Sequence, residues 1–178
     1  DTILLIAVDL HGIVQRLELY SHEQLSDIIR RSGTILGIPC TSDGALEIAK
    51  RSRGTPRIAN RFLKRVRDFA EVMGDGEITR DIASIALNRL EVDSLGLDSL
   101  DKRMLTMLIK GYNGGPAGLE TLASAIGEEA ITLEDVCEPF LMQLGFLART
   151  PRGRVATKLA YAHLGFLKDD ENEGQLTL

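Results

Sequence analysis

The sequence contains no tryptophan, few other aromatic residues and few cysteines. Aromatic residues make up 4% of its 178 residues, and its two cysteines, Cys40 and Cys137, lie far apart. Such a pair forms neither a disulfide framework nor a zinc site, so we predict two small apolar core residues in a reducing compartment. No apolar run approaches the roughly 18 residues that cross a bilayer, and the first residues lack the order of a signal peptide. We therefore expect a cytoplasmic protein with no membrane partner.

Acidic and basic residues occupy different parts of the chain. The formal net charge is −5, from 21 basic and 26 acidic residues. One stretch contains eight basic residues and no acidic one: Lys50, Arg51, Arg53, Arg57, Arg61, Lys64, Arg65 and Arg67. A second acid-free stretch contains five basic residues: Arg149, Arg152, Arg154, Lys158 and Lys168. A charge run is commonly a solvated helix face, whereas local basic clusters are also typical of nucleic-acid-binding surfaces.

The first half of the chain predicts a small helical domain. Residues 2–8 and 13–20 have the apolar run and the alternation of short strands. Four segments with helical spacing of apolar residues follow, and each begins at a residue that favours the start of a helix: Ser21, Thr41, Thr55 and Thr79. We predict a remnant of a larger domain, or a linker, at residues 1–20 and a four-helix domain at residues 21–91.

The second half predicts a winged-helix domain at residues 92–168. Helices are expected at residues 100–110 and 119–126, and a third helix is expected to begin at Thr132 with Leu133, Val136, Phe140 and Leu141 facing inward. Two short strands follow, around a Pro-Arg-Gly turn at residues 151–153. This order is that of a winged helix. The predicted fold class is mainly α, with a β-hairpin wing and an acidic tail at residues 169–178.

The arginines of the predicted wing are candidates for contact with DNA. Arg149, Arg152 and Arg154 lie within six residues of one another, and no acidic residue is close in sequence. A guanidinium group pairs with two phosphate oxygens at once, which suits a grip on the DNA backbone. The third helix carries Glu134, Asp135 and Glu138 and is poorly suited to base recognition. We expect contact through the wing with weak sequence specificity, although a merely solvated hairpin is the alternative.

Arg57 lies in the first turn of its predicted helix, where the helix dipole is already positive. A cation at this place is unfavourable unless an anion binds beside it, and the amino ends of helices are good phosphate sites. An ion pair with a carboxylate of a neighbouring helix is an equally good interpretation of the residues alone.

Several longer motifs resemble the bacterial RuvB Holliday-junction branch-migration motor. The run from Arg53 to Ala70 (Arg-Gly-Thr-Pro-Arg-Ile-Ala-Asn-Arg, then Phe-Leu-Lys-Arg-Val-Arg-Asp-Phe-Ala) resembles the lid of that family. Other segments do so too: residues 12–20, 114–119, 125–129 and 145–154. The resemblance extends from about residue 12 to residue 166.

The resemblance implies an AAA+ ATPase that uses ATP with Mg²⁺ and acts on Holliday junctions as a homo-hexamer around duplex DNA. It implies RuvA-type and RuvC-type protein partners. It places the lid arginine that senses nucleotide phosphates at Arg57 and the tyrosine near the adenine at Tyr20. It places the DNA-contacting arginines of the wing at Arg149 and Arg154, with Arg152 beside them.

The sequence also departs from that family. The phosphate loop and the Asp-Glu metal motif of the large ATPase domain are missing, so we expect no ATPase activity from this chain alone. A family arginine that acts on the neighbouring subunit falls on Leu10, a following phenylalanine falls on His11, and a further DNA-contacting arginine falls on Ala130. Two other classes stay open, a stand-alone winged-helix regulator and a structural adaptor whose arginines pair with carboxylates of its own chain.

Overall fold

The computed structural model describes residues 5–8 and 14–166. The predictions made for residues 10 and 11 and for the segment 169–178 lie outside the described residues. The chain divides into two compact units, Asp1–Ser99 and Leu100–Leu178. The first unit begins with two antiparallel strands, β1 (Leu5–Val8) and β2 (Val14–Leu17), in which Leu5 is opposite Leu17.

Four helices make up the rest of the first unit: α1 (His22–Leu36), α2 (Ser42–Lys50), α3 (Pro56–Met73) and α4 (Arg80–Arg89). The predicted capping box is present, because the Ser21 hydroxyl accepts from the Gln24 N–H at 3.2 Å and the Gln24 side chain accepts from the Ser21 N–H at 2.9 Å. Thr41 and Thr79 cap α2 and α4 with the hydroxyl alone, which accepts from the N–H three residues on, at Gly44 and Ile82. The predicted helix starts at Ser21, Thr41 and Thr79 are therefore confirmed, and each cap joins residues only three positions apart.

The apolar faces of the four helices meet in one core. Its fully buried members include Leu25, Ile29, Ile48, Leu63, Ile78 and Leu87. Cys40 is half-buried at the edge of this core, and burial, reinforced by Glu77, raises the pKa of its thiol to about 11. Cys137 is buried in the second unit, as predicted.

Arg51, at the end of α2, is a buried and fully hydrogen-bonded cation. It is only 4% exposed, although the sequence placed it in a basic surface run. Its guanidinium donates to Glu47 Oε1 at 2.6 and 3.0 Å, to Asn88 Oδ1 at 2.6 Å, to the Val92 carbonyl at 2.9 Å and to Ser84 Oγ at 3.1 Å. One side chain therefore joins α2 to α4 and to the segment that leaves α4.

The second unit consists of helices and one hairpin. Helix α5 (Ser99–Thr106) continues into a π-helical turn (Met107–Gly111), and α6 (Leu119–Ile126) follows after a glycine-rich loop. Helices α7 (Ala130–Thr132) and α8 (Glu138–Gln143) flank another π-helical turn (Leu133–Cys137) and form one continuous helical segment with it. Strands β3 (Leu147–Thr150) and β4 (Gly153–Ala156) pair antiparallel before α9 (Lys158–His163). The predicted mainly α fold with a hairpin is confirmed.

The third helix of this unit differs from the prediction at its start and on one face. It begins at Ala130, and Thr132 lies inside it without a capping hydrogen bond. Val136, predicted to face inward, is 51% exposed, whereas Cys137 is buried. The reason is the π-helical turn, whose hydrogen bonds span five residues and rotate the inward face relative to an α-helix. No described helix is long and apolar enough to cross a membrane.

Arg51→Ala is expected to lower the free energy of unfolding of the first unit by about 3–5 kcal/mol, since it removes one partner of a buried ion pair. The measurement is native-state hydrogen exchange at the amides of α2 and α4. Arg65→Ala is the matched control, because this arginine lies on the exposed face of α3, and its effect should stay below about 0.5 kcal/mol. Equal effects of the two substitutions would contradict a structural role for Arg51.

Candidate nucleotide and nucleic-acid interfaces

The amino end of α3 lacks the side-chain cap and the acidic residue that compensate the dipoles of the other helices of the first unit. Thr55 stands at the N-cap but makes no side-chain cap bond, since its hydroxyl donates to the Arg53 carbonyl at 3.2 Å, and the first turn contains no acidic residue. Helices α1, α2 and α4 each have a side-chain cap and an acidic first turn: Glu23, Asp43 and Asp81. A hydrogen bond from the backbone there lowers the pKa of Glu23. The amino end of α3 therefore keeps a positive field that an anion would satisfy.

Arg57 adds a full positive charge at the same end. Its side chain is exposed, and no hydrogen bond or ion pair joins it to another described residue. The alternative of an ion pair with a neighbouring helix is thus not found in the described part of the chain. In contrast, Arg67 on the same helix lies 2.7 Å from Asp68 and 3.6 Å from Glu71, and the hydrogen bond to Asp68 raises its pKa.

Tyr20 is held at this end of the unit by the backbone. Its N–H donates to the Gly54 carbonyl at 3.0 Å, and its side chain is 46% exposed. Gly54 has φ +68°, and a Cβ there would lie 2.7 Å from Leu19 Cβ, so only glycine permits this approach. Tyr20 is thus bonded to the loop that directly precedes α3, and Arg57 lies in the first turn of that helix.

Arg53 belongs to the same loop but faces into the unit. Its Nε donates to the Gly96 carbonyl at 3.0 Å and its Nη2 lies 2.9 Å from Asp98 Oδ2. Arg51 and Arg53 are therefore internal residues of the first unit, and the predicted basic stretch is only partly a surface. Sequence spacing gives a signal for one of these contacts, because Glu47 lies four residues before Arg51 on α2. The other partners of Arg51, and Gly96 and Asp98 beside Arg53, lie more than thirty positions away in the chain.

The hairpin brings two of its three arginines to carboxylates of the preceding helix. Arg149 Nη2 lies 3.2 Å from Glu134 Oε1, and both side chains are about half exposed. Arg154 donates through Nε to Glu138 Oε1 and through Nη2 to Glu138 Oε2 at 3.1 Å, and both of these side chains are buried. Arg152 is exposed at the turn and has no ion pair among the described residues.

The register of the hairpin explains this pairing. Arg149 and Arg154 are directly opposite each other, so their side chains leave the same face of the two strands. Like charges at such positions repel. Glu134 and Glu138 lie four residues apart on the α7–α8 segment and neutralise one arginine each. The acidic α7–α8 segment, which was predicted to be poorly suited to base recognition, thus binds the two arginines of the hairpin.

No group of three or more His, Cys, Asp or Glu residues that could hold a metal ion occurs among the described side chains.

Comparison with known proteins identifies the two units. Residues 20–93 match the RuvB AAA lid domain and residues 94–165 match the RuvB C-terminal winged helix domain. A solved structure of the Thermotoga maritima RuvB Holliday junction branch migration motor is 46% identical, with a TM-score of 0.81 over 85% of this chain and 51% of that chain. A single-substitution variant of Thermotoga maritima RuvB matches at 46% identity and TM-score 0.82, over 87% of this chain and 52% of that chain.

The chain thus spans about half the length of these solved relatives, at 51–52% of their residues. Two consecutive domains of one family follow each other in the same order and leave no gap between residues 20 and 165. The chain therefore belongs to the RuvB family and comprises its AAA lid and its C-terminal winged helix.

Proposed function

We propose that this chain is part of an ATP-dependent DNA motor subunit that drives branch migration of Holliday junctions in recombination and repair. The observation that carries the proposal is the exposed, unpaired Arg57 at the uncapped amino end of α3, inside the RuvB AAA lid domain. The related Thermotoga maritima protein is described as a Holliday junction branch migration motor. In this proposal the first unit responds to nucleotide and the second grips DNA.

The first unit fits ATP through its phosphates. Arg57 and the free N–H groups of the first turn of α3 would face phosphate oxygens, and the exposed ring of Tyr20 would lie against the adenine. Bound ATP would supply the phosphoryl transfer that powers the motor. The described residues offer no metal site, so the accompanying Mg²⁺ would be held by protein outside them.

The second unit fits the DNA backbone through the tip of its hairpin. Arg149 and Arg152 are exposed and would contact phosphates without regard to sequence. The role of Arg154 in contacting DNA stays a prediction, and its buried pair with Glu138 supports a different task, that of fixing the hairpin to the α7–α8 segment.

The further parts of the proposal depend on the family alone. They are assembly as a homo-hexamer, action in the cytoplasm, and cooperation with RuvA-type and RuvC-type partners. One observation favours a different class: Arg149 and Arg154 both pair with carboxylates of their own chain, as expected for a structural adaptor. An adaptor would show no salt-dependent affinity for DNA, and a stand-alone regulator would prefer one DNA sequence.

Arg149→Ala and Arg152→Ala are each expected to reduce the slope of log affinity against log salt by about 0.9, the value for one lost phosphate contact. Fluorescence anisotropy over a salt series, with two duplexes of unrelated sequence, measures this. Lys158→Ala removes an exposed charge outside the hairpin and should leave the slope unchanged.

The pairing of Arg149 gives a second test in the same assay. Glu134→Ala should raise DNA affinity more than Glu120→Ala, because both remove one exposed carboxylate but only the first releases an arginine. Salt-independent binding, or slopes that neither hairpin substitution changes, would favour the adaptor. A strong preference for one duplex would favour the regulator.

Glu138→Ala is expected to destabilise the hairpin by about 3–5 kcal/mol, since it leaves the Arg154 guanidinium buried and unpaired. Glu134→Ala, four residues earlier, breaks an exposed pair and should change stability by no more than about 1 kcal/mol. Hydrogen exchange at the β3 and β4 amides reports both. A similar small effect of the two substitutions would show that Arg154 does not depend on its carboxylate.

Arg57→Ala, in a subunit extended to the length of the solved RuvB relatives, is expected to lower ATP turnover about tenfold or more, as for a lost hydrogen bond to a charged group. Arg65→Ala on the same helix serves as the control for a lost exposed charge. Unchanged turnover in Arg57→Ala would exclude the phosphate-sensing role. The 178-residue chain alone should not hydrolyse ATP, and measurable turnover by it would contradict the proposal.

A further inference from the structure

Arg53 has a backbone conformation that residues other than glycine rarely adopt. Its φ is +52°, and Gly54 follows with φ +68°, so two successive residues are left-handed. This conformation is unfavourable for a residue with a Cβ, and glycine or asparagine would adopt it more readily. An arginine at this position therefore indicates that its side chain is needed in the direction that this backbone gives it.

The side chain of Arg53 is anchored on the segment that leaves α4. It is only 11% exposed, its Nε donates to the Gly96 carbonyl at 3.0 Å, and its Nη2 lies 2.9 Å from Asp98 Oδ2. A guanidinium group can bind both acceptors at once, because its donors are fixed in one plane. The loop before α3 is thus attached at two points to residues 96–98.

The segment that receives this side chain is a closed turn. The Asp93 carboxylate accepts from the N–H groups of Leu95 and Leu97 at 3.0 and 2.9 Å, and the Asp93 carbonyl accepts from the Gly96 N–H at 3.0 Å. Leu97 is fully buried. Gly96 has φ +92°, and a Cβ there would lie 2.8 Å from the Arg51 carbonyl oxygen, so the turn packs closely on the end of α2. Arg53 is therefore bound to a fixed part of the first unit.

The conformation of Arg53 also determines what the N-cap residue of α3 does. The Thr55 hydroxyl donates to the Arg53 carbonyl at 3.2 Å and makes no cap bond. In the other three helices of this unit, the capping hydroxyl accepts from the N–H three residues on, which for α3 is that of Ile58. The turn at Arg53 thus presents a carbonyl to the Thr55 hydroxyl, and the amino end beside Arg57 stays uncapped.

We propose that Arg53 is a positioning residue for the phosphate site at α3. Anchored on Gly96 and Asp98, it holds the loop in the conformation that keeps the Thr55 hydroxyl off the helix and Arg57 in place at its amino end. It acts through Arg57 and not by its own contact with phosphate, since its guanidinium binds residues 96–98. The effect on phosphate rests on the function proposed above, whereas the effect on the helix cap does not.

The first test is amide hydrogen exchange in the 178-residue chain, without nucleotide. Arg53→Ala removes the anchor and leaves a left-handed backbone that alanine disfavours, so the loop should relax and the Thr55 hydroxyl should cap α3. The Ile58 amide should then exchange at least about twofold more slowly, because a cap present half of the time halves its exposed fraction. Asn113→Ala replaces another left-handed residue, with φ +50°, and should leave the Ile58 amide unchanged.

The second test is ATP turnover in a subunit extended to the length of the solved RuvB relatives. Arg53→Gly removes the anchor but tolerates the left-handed backbone, so the unit should fold and turnover should fall about fivefold. Added to Arg57→Ala, it should cause no further loss, because the two residues act on one contact. Arg53→Lys keeps the charge without the paired donors and should give an intermediate turnover. Asn113→Gly makes the same kind of backbone change elsewhere and should leave turnover unchanged.

The results separate this inference from the proposed function. Reduced turnover in Arg57→Ala together with wild-type turnover in Arg53→Gly would overturn the inference alone. Independent losses that multiply in the double variant would show that Arg53 acts by a route other than Arg57, and would overturn it as well. An unchanged Ile58 amide in Arg53→Ala would remove its structural basis. Wild-type turnover in Arg57→Ala would contradict the proposed function, and the Ile58 amide would still decide whether Arg53 controls the cap.

Discussion

The buried guanidinium of Arg51 is the interaction on which the first unit depends. It is enclosed by α2, α4 and the Val92 carbonyl, and every direction in which it can donate meets an acceptor. Gly96 packs so closely on the Arg51 backbone that a Cβ there would lie 2.8 Å from the Arg51 carbonyl oxygen. A charge removed from water must be held in this way, because an unpaired buried charge costs about 3–5 kcal/mol.

The same short loop, residues 51–55, links the candidate nucleotide end to the segment that leaves α4. Tyr20 is bonded to Gly54, and Arg53 holds Gly96 and Asp98. In the proposed motor, phosphate bound at Arg57 would contact the helix that begins directly after this loop. A small displacement of α3 would therefore be transmitted to residues 96–98 through the hydrogen bonds of Arg53. Charge-paired and closely packed groups move as a unit, because they do not deform continuously.

Local features of the fold could be predicted from the sequence, and long-range pairings could not. The caps at Ser21, Thr41 and Thr79 depend on neighbours three residues away and agree with the structure. The prediction of which residues face inward after Leu133 is wrong at Val136, because the period of an α-helix does not describe a π-helical turn. The sites divide in the same way. Glu47 lies four residues before Arg51 and could be found from helical spacing, whereas Asn88 and, for Arg154, Glu138 lie too far along the chain for such a rule, so neither arginine was predicted to be buried.

In the proposed contact with DNA, the two ion pairs of the wing decide which arginine can exchange its carboxylate for a phosphate. A phosphate contact through a charge-assisted hydrogen bond is worth about 1.5–3 kcal/mol. Arg149 gives up an exposed pair worth no more than about 1 kcal/mol, so exchange of Glu134 for a phosphate is favourable. Arg154 would leave the Glu138 carboxylate buried without a partner, at a cost of about 3–5 kcal/mol, which exceeds the return. The two arginines are opposite each other in one hairpin, but only the Arg154 pair is buried. Arg154 would therefore stay paired and fix the hairpin, whereas Arg149 could exchange its carboxylate partner for a phosphate.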